Sequence, residues 1–109
     1  VSIKHINFDD YGYKAFGSVT ASYTTLLSLS DDADVLFIFN TLNQPILLQL
    51  PSKLERASSV GTKEVRLPAS VSFSIDCRTN SKRVAKGDIK IKYASAAPTS
   101  GEITITAVR

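Results

Sequence analysis

The sequence predicts an all-β domain built as an antiparallel sandwich. Three observations carry that expectation: short apolar or alternating runs, turn-forming residues between them, and no stretch with a convincing amphipathic-helix period. The stretch the rest leans on is residues 34–50, DVLFIFNTLNQPILLQL, two apolar runs at 35–39 and 46–50 joined by a polar link. Each run is too short for an ordinary helix, the first is rich in β-branched and aromatic residues, and Asn40, Asn43 and Pro45 favour a turn. The pair reads as a central β-hairpin. The unbroken apolarity of 35–39 reads as a strand covered on both faces.

A chain of 109 residues fits one domain that can bury a core without disulfides, and its 43% hydrophobic and 21% charged residues suit a folded, soluble protein. No apolar run approaches the roughly 18 residues of a membrane span, and the first residues lack the basic, apolar, small-residue series of a signal peptide. Neither membrane insertion nor secretion is expected. Cys77 is the only cysteine, so no intrachain disulfide and no cysteine-based zinc site can form. It shares strand parity with Val71, Phe73 and Ile75, which predicts an inert thiol in the core.

In chain order, residues 1–17 read as an extended N-terminal arm and 18–109 as the single sandwich domain. Ile6 and Phe8 alternate in the arm, and Tyr11, Tyr13 and Phe16 follow closely. These aromatics suit a small satellite core, or else a surface for a sugar ring or protein partner. Residues 18–29 alternate like a strand, with Val19, Ala21, Tyr23, Leu27 and Leu29 on one parity; Leu26 breaks the polar face and predicts a bend or bulge near Thr24 and Thr25. Asp31, Asp32 and Asp34 form a plain turn, since the glycine and terminal glutamate of a calcium loop are missing. Residues 51–66 read as a polar excursion, holding a short hairpin or one helical turn. Residues 70–77 give the cleanest alternation, 78–87 a loop, and 88–93 and 102–108 the last two strands. Pro98, Thr99, Ser100 and Gly101 suit a type I turn between them. The sum is about seven strands in a sandwich of jelly-roll or immunoglobulin-like kind.

Between residues 78 and 92 lie Arg78, Lys82, Arg83, Lys86, Lys90 and Lys92 against the single acid Asp88. The aromatic interleaving of a single-strand platform is missing apart from Tyr93, so no specific nucleic-acid partner is expected. The plain reading is a solvated face or a protected sheet edge. Chemistry finds little support: His5 is the only histidine, no serine stands in a G-x-S-x-G context, and the five glycines stand singly. No catalytic residue, cofactor or metal site is therefore expected.

The series YTTLLSL, DVLFIFNTLNQPILLQL, RLPASVSFSID, KGDIKIK and APTSGEITIT resembles small β-sandwich structural proteins of tailed-bacteriophage virions, over roughly residues 21–108. That resemblance implies a binding role without chemistry: a head decoration or cement protein on the major capsid protein, or alternatively a neck or tail accessory or a host-surface glycan-binding module. It implies residence in the virion, assembled in the host cytoplasm, other virion proteins as partners, and a homo-oligomer such as a trimer. Two segments depart from the pattern, residues 51–66, which replace a short Gly-rich turn, and residues 1–17. Such departures are where protein-specific contacts concentrate. The candidate interface residues are accordingly Ile6, Phe8, Tyr11, Tyr13, Phe16, Lys53, Arg56, Lys63, Arg78, Lys82 and Arg83.

Overall fold

The structure is a computed structural model that describes the backbone of residues 6–54, 60–76 and 82–108, and the side chains of 10–52, 60–76 and 84–108. It is an all-β sandwich of two antiparallel sheets. The first sheet has the order β1-β9-β3-β6, from β1 (Ile6–Ala15), β9 (Glu102–Val108), β3 (Val35–Asn40) and β6 (Phe73–Asp76). The second has the order β2-β8-β4-β5, from β2 (Thr24–Leu29), β8 (Gly87–Tyr93), β4 (Ile46–Leu54) and β5 (Gly61–Leu67). A further segment, β7 (Lys82–Val84), pairs with the far end of β4 on the side that β8 occupies, so β7 and β8 act as one strand interrupted at Ala85 and Lys86. Eight strand positions result, against the seven expected.

Alternation places the core between the sheets. Leu36, Ile38, Ile103, Ile105 and Ala107 point inward from the first sheet, and Leu27, Leu29, Ile46, Leu48, Ile89 and Ile91 from the second. All are buried, as the period of two requires when one face is covered. A register shift between Thr25 and Leu27 lets Leu26 and Leu27 both be buried, which is the irregularity that Leu26 announced.

Several expectations are corrected. Residues 34–50 do not form a hairpin: β3 and β4 lie in opposite sheets, and the link between them crosses the sandwich. Double coverage of 35–39 holds at Val35 but fails at Phe37 and Phe39, which are exposed. Most of the segment expected as an arm is instead a sheet strand, with Tyr11 to Ala15 paired to β9. At 51–66 the hairpin alternative holds in place of the helical turn, since Pro51 and Ser52 of β4 pair antiparallel with Thr62 and Gly61 of β5, whereas the loop at 78–87 contains β7. Val71, assigned to the core by parity, precedes β6 and is exposed. Cys77 lies outside the described residues.

The crossing links are clamped to one another. Asn43 donates its backbone N–H to the Ser100 carbonyl and its Nδ2 to Thr99 Oγ1, while its Oδ1 accepts from the backbone N–H groups of Thr99 and Ser100. Thr41 N–H bonds the Glu102 carbonyl, and Glu102 N–H bonds Thr41 Oγ1. The type I turn expected at 98–101 is therefore replaced by a second sheet-to-sheet crossing lying against the first. Buried Asn40 serves a third: its Nδ2 donates to the Pro68 carbonyl, its Oδ1 accepts from Leu42 N–H, and its own N–H donates to Ser72 Oγ. Gly101 sits at φ +95°, and a Cβ there would strike the Thr41 carbonyl.

Gly12 lets β1 approach β2 across the sandwich, since a Cβ would collide with the Leu26 carbonyl oxygen and meet Leu27 Cβ at 2.9 Å. Gly12→Ala should lower stability by roughly 1–3 kcal/mol through overpacking. The Thr24 hydroxyl is buried with no hydrogen-bond partner among the described residues. Thr24→Val should hold stability or raise it by about 1 kcal/mol, because a desolvated polar group is removed. Denaturant midpoints at constant slope check both; a neutral Gly12→Ala would contradict the close approach.

Candidate functional site: an aromatic sheet face

The outer face of the first sheet is aromatic and hydroxylic. Tyr11 pairs in register with Thr106, which pairs on its other side with Phe37, which in turn pairs with Ser74. The next row is Tyr13, Thr104 and Phe39. The strands alternate side chains between faces, so all these side chains stand on the side away from the core. Tyr11 and Tyr13 are each 50% exposed, Phe37 42% and Phe39 64%. The relief follows from side-chain size: the β1 tyrosines and β3 phenylalanines form two ridges about 10 Å apart, and the β9 threonines form the trough between them. Beyond β3 a shallow cleft of about 240 Å³ opens among Phe37, Phe39, Ser72, Phe73 and Ser74. The face therefore reads ridge, trough, ridge, cleft.

The opposite outer face is charged. Lys92 is opposite Leu47, Lys90 is opposite Thr25 and Gln49, and Asp88 is opposite Ser28. Glu64 and Arg66 continue those rows on β5. Ser28 Oγ donates to Asp88 at 2.7 Å, and the Lys92 ammonium sits 4.8 Å from the centre of the Tyr23 ring. Tyr23 donates its hydroxyl to Glu64 at 2.6 Å. Lys90 and Lys92 thus lie on a solvated face, as their alternation suggested.

Magnitudes separate the two faces. Taking about 200 Å² for a whole aromatic side chain, the four rings leave about 400 Å² in water. At about 25 cal/mol per Å², covering them is worth at most about 10 kcal/mol, comparable with the whole stability of a small domain. A monomer's largest apolar patch is commonly functional at this size. The charged face offers no such gain.

Of the expected interface residues, the structure brings Tyr11 and Tyr13 together on this face and leaves them open, in place of the satellite core that was the first expectation. Phe16, also exposed, lies past the end of β1, where its N–H bonds the Gly101 carbonyl. Lys63 is exposed on β5 opposite Leu50. The backbone positions of Lys53 and Arg83 pair directly and Lys82 pairs with Leu54, so these basic positions converge with Lys63 at one end of β4. The side chains of Ile6, Phe8, Lys53, Lys82 and Arg83, and all of Arg56 and Arg78, lie outside the described residues. Phe37 and Phe39 were missed because an unbroken apolar run hides alternation. No group of three or more metal-binding side chains occurs among the described residues, and Asp32 instead accepts the Lys86 N–H.

The fold and the face define a β-sandwich with one sheet surface dominated by aromatic rings, with the acids Glu102 and Asp76 at its margins. No protein-family model, curated protein or solved structure matches the chain.

Two phenols titrate differently from free tyrosine. The hydrogen bond to Glu102, at 2.8 Å, raises the pKa of Tyr13. Desolvation, followed by the hydrogen bond to Glu64, pushes Tyr23 up to about 12 from 10.0. Because the folded value is the higher one, the stability this contributes is complete below pH 10 and is lost as pH rises toward about 12. Ultraviolet titration should show a late phenol that Tyr23→Phe removes. A wild-type curve with all tyrosines ionising near pH 10 would contradict the Tyr23–Glu64 contact.

Proposed function

We propose that the chain is a non-enzymatic structural protein of a tailed-bacteriophage virion, a head decoration or cement protein that binds and stabilises the major capsid lattice. One observation carries the reading: the two outer faces differ in kind, one charged and suited to water, the other rich in half-exposed aromatic rings and suited to another protein surface. The resemblance of the strand series to virion β-sandwich proteins supports the same class. Lattice contact is assigned to the end of β4 where the Lys53, Lys63, Lys82 and Arg83 positions converge, and to the segment with Ile6 and Phe8. A subunit that binds only the assembled shell stabilises it by mass action.

Antibody against the chain, viewed on particles by electron microscopy, should label heads across their surface. The chain should also sediment with assembled shells and not with free shell subunits. Equal affinity for both would sink the decoration reading; label confined to neck or tail would move the protein there. A second reading, glycan recognition, is favoured by the two half-exposed tyrosines two residues apart on β1. It requires glycan binding that Tyr11→Ala and Tyr13→Ala abolish with folding intact, and an empty glycan screen would remove it.

A further inference from the structure

The relief of the aromatic face is complementary to itself. The sheet order places, across the face, the β1 ridge, the β9 trough, the β3 ridge and the β6 cleft at equal strand spacings. A two-fold axis running along the strands midway between β9 and β3 exchanges those two positions, and it also exchanges β1 with β6. Every ridge of one copy then meets a depression of the other: Phe37 and Phe39 enter the threonine trough, and Tyr11 and Tyr13 cover the cleft beside Ser74 and Phe73. A two-fold axis across the strands would instead set ridge on ridge. The rows survive the operation, since rotation about the strand direction keeps Tyr11, Thr106, Phe37 and Ser74 level with their partners.

We propose that this face is an isologous interface between two copies of the chain, packed sheet against sheet about that axis. Charge favours the same occupant. The two rows that hold the rings contain only tyrosine, threonine, phenylalanine and serine. The acids of this face, Glu102 and Asp76, lie in flanking rows on β9 and β6, strands that the axis sets against β3 and β1, so two copies meet there without opposing like charges. An acidic partner, by contrast, would find no cation in those rows. Area agrees: the four rings supply about 400 Å² per copy, about half of the roughly 800 Å² that each partner of a standard interface buries, and the threonines, Ser74 and the cleft rim extend it. Two sheets packed this way have the separation and interdigitation of a sandwich interior. The inference deepens the virion reading, which gains a two-headed unit: a dimer presents two lattice-binding ends, and bivalent attachment multiplies avidity.

Sedimentation equilibrium of the full chain tests it. The wild type should show twice the 11.8 kDa chain mass at about 100 μM, near and above the micromolar range of weak specific dimers. Phe39→Ser, which removes a ridge, and Thr106→Lys, which charges the trough, should each give monomer. Both positions are outside the core, and unchanged circular dichroism with a cooperative melt confirms folding, the midpoint falling only by what the lost association contributed. Position 106 lies close to the axis, so a 1:1 mixture of Thr106→Lys and Thr106→Glu should recover the dimer. A monomeric wild type overturns the proposal, as does a dimer that persists in both single variants. The outcome is separable from the virion reading: unlabelled particles with an intact dimer defeat only the latter, and labelled particles with a monomer defeat only the dimer.

Discussion

The structure depends on the chain passing repeatedly from one sheet to the other without leaving backbone polar groups stranded where it crosses. A crossing link at the end of a sandwich lies over the apolar interior, and its N–H and C=O groups need partners. Asn40, Thr41 and Asn43 provide them for three links at once, those of β3–β4, β5–β6 and β8–β9. Asn40 is almost fully buried and uses donor and acceptor alike. These clamps fix β3 and β9 side by side in one sheet and β4 and β8 in the other. The placement of Phe37 and Phe39 beside Thr104 and Thr106 is a consequence.

Seen this way, the aromatic face is the outward half of the same alternation that builds the core. Ile38 and Ile105 face inward because the period of two puts them there, and Phe37, Phe39, Thr104 and Thr106 face outward for the same reason. Burial energy explains the inward set directly. It does not explain an outward set that leaves two phenylalanines in water, and on the second sheet the corresponding positions hold Lys90, Lys92, Glu64 and Arg66. A covered assembly surface accounts for the difference between the two faces. The virion role proposed above is a setting in which such surfaces are repeated many times on one lattice.

Sequence patterns made some of this legible. The alternation of Ile103, Ile105 and Ala107, and of Ile89 and Ile91, predicts both strands and inward faces, and Leu26 predicts the bulge. Pairing was less legible, because periodicity reports which face a residue takes but not which strand lies beside it. The polar link at 41–45 is compatible with a hairpin or a crossing, and only the distant partners Pro68, Thr99 and Ser100 decide for the crossing. Tyr11 and Tyr13 could be singled out as aromatics in a polar segment. Phe37 and Phe39 could not, since Leu36 and Ile38 between them give an apolar run that a doubly covered strand would share.

The most direct test of a covered aromatic face is hydroxyl-radical footprinting of the intact chain across a dilution series, with modification read at individual residues. Tyr11, Tyr13, Phe37 and Phe39 should become protected together as concentration rises, while Tyr23, on the charged face, reacts at a constant rate. Constant reactivity of all four, or protection that falls instead on Tyr23, would contradict the account.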